Sequence, residues 1–210
     1  MARFPAIPAP LVYVARHGET DWNAEGRLQG HTDVPLNDRG RTQARALAAA
    51  LGAAGVEGVA TVVASDLARA KETADIVAAA LGLAPPSIDP RLRERGFGVF
   101  EGRTKAELAA SEPDAWRAWN EDVRARPPGG ESHEDLARRI VDGVVDAVKS
   151  HARPSAPILI VSHGAAIRAL LLAATGLRVP PLGNGTVYRL AADGDALRDP
   201  LLVWHGTTDA

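Results

Sequence analysis

The stretch "PILIVSHGAAIRALLLAATG", residues 157–176, decides the fold. Pro157–Ser162 is a short apolar run without alternation, the pattern of a strand buried on both faces. The remainder reads as a helix beginning at Gly164. A buried strand passing straight into a helix belongs to a β-α-β arrangement, with parallel pairing and helices on both faces of the sheet.

Working outward, two more runs have this character: "LVYVA" (Leu11–Ala15) and "VATVVAS" (Val59–Ser65). Between the strands lie apolar residues at helical spacing. "RTQARALAAALG" stops at Gly52 and "SDLARAKETADIVAAALG" at Gly82. "SHEDLARRIVDGVVDAVKSH" opens with a capping box from Ser132 to Asp135, Asp standing in for the usual Glu or Gln. The tail, "TVYRLAADGDALRDPLLVWH", holds two strand-like runs around Asp193-Gly194, so an antiparallel pair should close the sheet. These patterns predict an α/β fold, a three-layer αβα sandwich with a central, mostly parallel mixed sheet. One domain is expected over residues 1–210, with a lid-like insertion at about 94–130 that contains Trp116 and Trp119 and ends in "RPPGG".

Composition narrows the chemistry. The 210 residues are 46% apolar and 24% charged, as in a soluble globular chain, and carry a net charge of −2, which leaves no broad footprint for nucleic acid or anionic lipid. There is no cysteine, which excludes disulfides, thiolate metal sites and cysteine nucleophiles. No apolar run reaches membrane length, and the opening, with prolines at 5, 8 and 10, does not read as a signal peptide. A cytoplasmic protein is expected.

Ligands of a parallel sheet bind at the carboxyl ends of its strands. The first strand there delivers Arg16-His17-Gly18, the second Ser65-Asp66 and then Arg69, the third Ser162-His163-Gly164. Two histidines and two arginines thus converge beside a helix N-terminus, where anions are attracted and guanidinium groups bind phosphate oxygens in pairs. Phosphate is the natural guest. Zinc is the rival, but two adjacent arginines would repel a dication, and no carboxylate stands at a recognised ligand spacing from either histidine. No metal is expected. His133-Glu134-Asp135 has the look of a ligand set, yet falls in the first turn of a helix, where acids suit the helix dipole. Asp193-x-Asp195 resembles an aspartyl nucleophile motif but sits in a late turn. His151 and His205 lack a convergent setting, whereas His31 lies close to the site in sequence.

Four linked segments, "VARHGETDWNAEGRLQGHTDVPLNDRGRTQA", "ASDLARAKETA", "LRERGFGVFEG" and "VSHGAAIRAL", resemble the signatures of the histidine phosphatase superfamily, in its phosphoglycerate-mutase-like branch. They follow the family's order over nearly the whole chain. The resemblance implies a phosphohistidine mechanism with His17 as nucleophile and Arg16, Asn23, Arg69, His163 and Gly164 as the phosphate pocket. Glu94 takes the place of the general acid. Its neighbours Arg93 and Arg95 are expected to point outward, since inward they would oppose that role. Glu101, in the same motif, is read as a supporting or surface carboxylate, and Glu19 and Ser65 as supporting residues. Gln29, Gly30 and His31 are candidate substrate contacts.

The expected activity is that of a histidine acid-type phosphatase, a phosphomonoester hydrolase for a small phosphorylated metabolite, with no cofactor. One alternative is a phosphoglycerate mutase, which alone would need 2,3-bisphosphoglycerate; a weaker one is a non-catalytic phosphate-binding module. Mutases of the family usually carry a Gly-Trp pair and an Arg-Arg-Ser run; here the sequence reads Leu28-Gln29-Gly30-His31 and "VRARPPGGES". Trp116, Trp119 and the loop before Ser132 are expected at the pocket mouth; Arg124 and Arg126 read first as solvated surface residues and second as candidate contacts for an acidic substrate. No nucleic acid or membrane partner is expected, and the state is monomer or homodimer.

Overall fold

Along the strand β1 (Leu11–Arg16), alternate residues face opposite sides of the sheet, and both sides are dry. Val12 and Val14 enter one apolar cluster, Tyr13 and Ala15 another. The computed structural model describes residues 9–53 and 58–206; residues 1–8, 54–57 and 207–210 of the expected 1–210 domain lie outside the described residues.

After β1 the chain continues through α1 (Asp21–Ala24), α2 (Asp38–Ala53), β2 (Thr61–Ala64), α3 (Ala68–Ala80) and β3 (Ser87–Ile88). Two 3-10 turns, Pro90–Leu92 and Gly98–Phe100, precede α4 (Lys105–Ser111) and α5 (Pro113–Glu121). Then come α6 (His133–His151), β4 (Ile158–Ser162), α7 (Gly164–Thr175), β5 (Thr186–Asp193) and β6 (Ala196–His205). The strands form one sheet in the order β3-β2-β4-β1-β5-β6. The first four are mutually parallel, while β5 and β6 run antiparallel around the Asp193-Gly194 turn.

Helices α6 and α7 cover one face, with Leu136, Ile140, Val144, Ile167 and Leu170 packed on Val12, Val14, Ile158 and Ile160. Helices α2 and α3 cover the other, with Leu47, Leu51, Ala70 and Val77 against Tyr13, Val62, Leu159 and Val161. The fully buried strands explain why their sequences are unbroken apolar runs. The capping box of α6 is formed as its sequence predicts, Ser132 accepting from the Asp135 amide while Asp135 accepts from Ser132. Helix α7 ends at Gly176, which adopts the left-handed conformation that closes helices.

Residues 94–130 are less irregular than their sequence suggests. They contain α4 and α5, and Phe97, Phe100, Leu108 and Trp119 make a small apolar cluster of their own. Trp119 and Trp116 are therefore committed to packing within this segment, with ring centroids 5.0 Å apart.

Candidate active site

Parallel register brings the two histidines together. In the β1–β4 ladder Arg16 is the partner of Ser162, so the next residue on each strand, His17 and His163, leaves the sheet at the same level. The His17 amide donates to the Ser162 carbonyl at 3.0 Å, and the two rings meet edge to face with centroids 5.0 Å apart. His17 is 2% exposed and His163 0%.

The segment behind His17 has no slack. A Cβ on Gly18 would lie 2.3 Å from the Gly40 carbonyl oxygen, and one on Gly40 would lie 2.1 Å from that of Glu19. Two backbones therefore cross in direct contact where the loop after β1 passes the first turn of α2. The Gly18 amide donates to the Thr73 hydroxyl of α3, which itself donates to the Arg69 carbonyl.

The Nδ1 of His17 lies 2.6 Å from the Gly18 carbonyl. A carbonyl only accepts, so Nδ1 carries the proton and Nε2 keeps its lone pair. Burial pushes the His17 imidazole well below the ordinary histidine range, Arg69 and Arg16 push it further, and the Gly18 carbonyl opposes them weakly. His163 is depressed in the same way, by burial first and then by Arg69, His17, Arg16 and Arg139. Neither ring nitrogen of His163 has a partner, although both are buried. An unpaired buried polar group is costly, and an anion placed here would supply what is missing.

Two guanidinium groups frame the pair. Arg69, at the start of α3, is fully buried and donates to the carbonyls of Thr32 (3.0 Å) and Gly30 (2.8 Å). Burial lowers it to about 10, against the opposing pull of Glu94 and Asp33. Arg16 donates to the Leu182 carbonyl. The Nε of each arginine is buried without a partner. Gly164 lies under Arg16, where a Cβ would sit 3.4 Å from its Nε.

Asn23 completes the capping box of α1. Its side-chain oxygen accepts from the amide and hydroxyl of Thr20 and from the Asn184 side chain, all at 3.2 Å, which commits the oxygen and leaves the NH2 as a donor. Asn184, which sequence reasoning missed, also donates to the His17 carbonyl at 3.0 Å. Because β5 is antiparallel, its beginning lies at the edge where β1 ends, a signal present in the hairpin but unused.

Glu94 reaches the N-terminus of α7. Its Oε1 accepts from the amides of Ala166 (3.0 Å) and Arg95 (2.8 Å), and its Oε2 from that of Ala165 (3.1 Å). Three of four lone-pair positions are thus occupied, leaving one on Oε2. Glu101 has a different task. It binds the amides of His31, Thr32 and Phe97 and the Thr32 hydroxyl, tying the loop that carries Gly30 to the segment after Glu94. Burial pushes its carboxyl up, but those donors together hold it below the ordinary range. Glu19 accepts from the Asn37 side chain, and Ser65 accepts from the Leu67 amide.

A cavity of about 220 Å³ is lined by, among others, Arg16, His17, Asn23, Gln29, Arg69, Glu94 and Gly164, while His163 stands behind His17 and is not among the lining residues. Gln29 is a buried lining residue whose side-chain oxygen has no partner. Gly30 and His31 are not among the lining residues: Gly30 holds Arg69 through its carbonyl, and the His31 Nε2 donates to the Glu94 carbonyl at 2.9 Å.

Several expectations need correction. Arg93 turns to Asp66, with paired bonds of 2.7 and 2.5 Å, but Arg95 does not point outward. It is 1% exposed, its guanidinium 4.4 Å above the Trp119 ring, bonded to the carbonyls of Glu131 and Ala125 and to His133. The stacking and those acceptors draw it into the 94–130 segment, away from the cavity. Trp116 and Trp119 do not shape the mouth; Trp22 and Phe97 do. Arg124 and Arg126 are exposed, as the surface reading has them, and pair with Glu134 and Asp135 rather than lining the cavity, whose exposed cations are Lys105 and Arg168. Among the described residues no group of three or more His, Asp and Glu is placed to hold a metal, and no helix is long and apolar enough to cross a membrane.

A sheet edge that presents two buried histidines and two arginines with unfilled donors defines a phosphoryl-group pocket. A model of the histidine phosphatase superfamily (branch 1) matches residues 12–198, and the chain belongs to that superfamily. A glucosyl-3-phosphoglycerate phosphatase of Mycolicibacterium vanbaalenii is 38% identical to it, the match covering 91% of this chain and 92% of that protein. A probable phosphoglycerate mutase of Enterobacter sp. (strain 638) is 41% identical over a shorter span, 79% of this chain and 75% of its own length. Among solved structures, a mycobacterial glucosyl-3-phosphoglycerate phosphatase complexed with VO3 aligns at a TM-score of 0.81 and 36% identity, covering 95% of this chain and all of that one. The protein is an enzyme, a histidine-type phosphatase for a small phosphorylated metabolite.

Proposed function

We propose that hydrolysis proceeds through phosphohistidine at His17 Nε2, with Glu94 moving the proton. The observation that carries this reading is the His17–His163 pair, buried and 5.0 Å apart between two arginines whose Nε groups lack partners. The Nε2 lone pair attacks phosphorus as the ester P–O bond breaks. The departing oxygen takes the bond's electrons and the proton carried on Glu94 Oε2. A water then attacks the phosphohistidine and gives its proton to the same oxygen, and the N–P electrons return to Nε2. Arg16, Arg69, His163 and the Asn23 NH2 hold the three equatorial oxygens throughout, which is most of what phosphoryl transfer requires. The reaction written this way needs no cofactor and no metal.

The substrate we propose carries a second negative charge beyond the phosphate. Arg27 at the mouth is matched by Glu25 and Glu107, whereas Lys105 and Arg168 have no carboxylate partner among the described residues. A phosphorylated sugar acid has this charge pattern, and the relative from Mycolicibacterium is named for such a compound.

Phosphorus NMR tests both parts. With glucosyl-3-phosphoglycerate the expected result is inorganic phosphate and an acid-labile phosphoenzyme lost in His17→Ala. Residual activity above about a thousandth of wild type would defeat the nucleophile assignment. With 3-phosphoglycerate and a trace of 2,3-bisphosphoglycerate, formation of 2-phosphoglycerate would replace the phosphatase reading by the mutase one.

A further inference from the structure

Residues 93–97 form neither helix nor strand, yet they carry Glu94. A segment without a ladder must find partners for its peptide groups elsewhere. Here two side chains, Arg139 and Glu131, supply several of them. Arg139, from α6, donates through Nη1 to the carbonyls of Arg91 (2.8 Å) and Arg93 (3.0 Å), and through Nη2 to that of Glu94 (3.1 Å). Its remaining donors make a two-point pair with Glu131, Nε to Oε1 at 2.8 Å and Nη2 to Oε2 at 2.7 Å. Glu131 in turn takes the Gly96 amide on Oε2 and gives its own amide to the Gly96 carbonyl, both at 2.8 Å. Neither residue lines the cavity.

We infer that Arg139 and Glu131 are positioning residues for the reaction: they fix the backbone of residues 91–96 so that the Glu94 carboxyl stands at the cavity. The guanidinium fork is the reason for arginine at this position. Its planar donors reach three carbonyls and a carboxylate at once, which an ammonium group cannot do in a fixed plane. The inference rests on the proton-transfer role proposed for Glu94. It adds that this role is set from α6 and the residues just before it, none of which lines the cavity.

The two half-reactions separate positioning from general damage. An aryl phosphate such as p-nitrophenyl phosphate expels a leaving group that needs little protonation, so phosphorylation of His17 is insensitive to Glu94. Breakdown of phosphohistidine still needs the base. In Arg139→Lys, with Glu131→Gln as the second variant, turnover of an alkyl phosphate should fall by about a hundredfold, the usual cost of misplacing a reacting group by about 1 Å. The first turnover of the aryl phosphate should stay near wild type, with phosphoenzyme accumulating as a burst. Equal losses on both substrates in folded variants, without a burst, would overturn the inference. Glu94→Gln, run alongside, separates the two ideas. If Glu94→Gln shows the leaving-group effect and the Arg139 and Glu131 variants do not, the positioning role fails alone. If Glu94→Gln lacks the effect, the acid-base reading fails and takes the inference with it. The double variant Glu94→Gln/Arg139→Lys should be no slower on alkyl phosphate than Glu94→Gln.

Discussion

Glu94 and Ala165 are 71 residues apart, yet the carboxylate of the first accepts the amide of the second at 3.1 Å and closes the N-terminus of α7. His163, the N-cap residue of this helix, offers no side-chain bond to it, so Glu94 performs the capping from another part of the chain. One carboxyl group thus both caps a helix and lines the cavity. Glu94→Ala should lower stability by about 1 kcal/mol, in the range of a lost helix cap, in addition to its effect on turnover. Chemical denaturation of the variant measures this; unchanged stability would show that the cap is dispensable.

Removal of a cation should move the acid limb of activity. After burial, Arg69 is the largest influence holding His17 below the ordinary histidine range. A nearby positive charge disfavours imidazolium, so Arg69→Gln should raise the value for His17, and inactivation by protonation should begin at a higher pH than in wild type. NMR titration of the His17 ring reads the shift without relying on the weakened turnover.

Backbone contact makes Gly18 intolerant of even one methyl group. Gly18→Ala should destabilise the protein by about 1–3 kcal/mol through overpacking against Gly40, and the adjacent His17 should lose its placement. A thermal melt with wild-type midpoint would contradict the close crossing.

The 94–130 segment should loosen in acid. His133 is lowered to about 4, by burial first and then by the positive charges of Arg95 and Arg168, and its Nε2 lies 2.6 Å from the Arg95 guanidinium. A histidine depressed in the folded state contributes stability fully above its unfolded value near 6.5, and that contribution is lost as pH falls toward about 4. His133→Gln, which keeps an acceptor but cannot titrate, should lose less stability over this window. Parallel slopes for the two proteins would argue against the assignment.

Much of this was readable in the chain because buried parallel strands announce themselves. Leu11–Arg16 and Ile158–Ser162 are apolar on both faces, and the residues leaving them are the site. Strand β3 gives no such signal, being two exposed residues long. Helix α4 had one that went unused: Thr104 and Glu107 have capping-box spacing, and the box is formed. Arg95 is buried where the sequence suggests an outward residue, because an arginine beside a candidate acid reads as a surface residue until the aromatic ring that receives it is known. Arg139 was hidden for a related reason. Its partners are carbonyl groups, and carbonyl groups have no sequence signature.

The His17 carbonyl waits for Asn184, 167 residues downstream, and Arg16 waits for Leu182. At roughly 5–20 residues per second of synthesis, the His17 segment waits roughly 8–33 s before Asn184 is made. A growing chain that has already built the first strand and its arginine is therefore still without a finished pocket. The loop from Leu182 to Asn184, just ahead of the closing hairpin, is thus among the last parts of the chain to be made that bond directly to the Arg16-His17 pair.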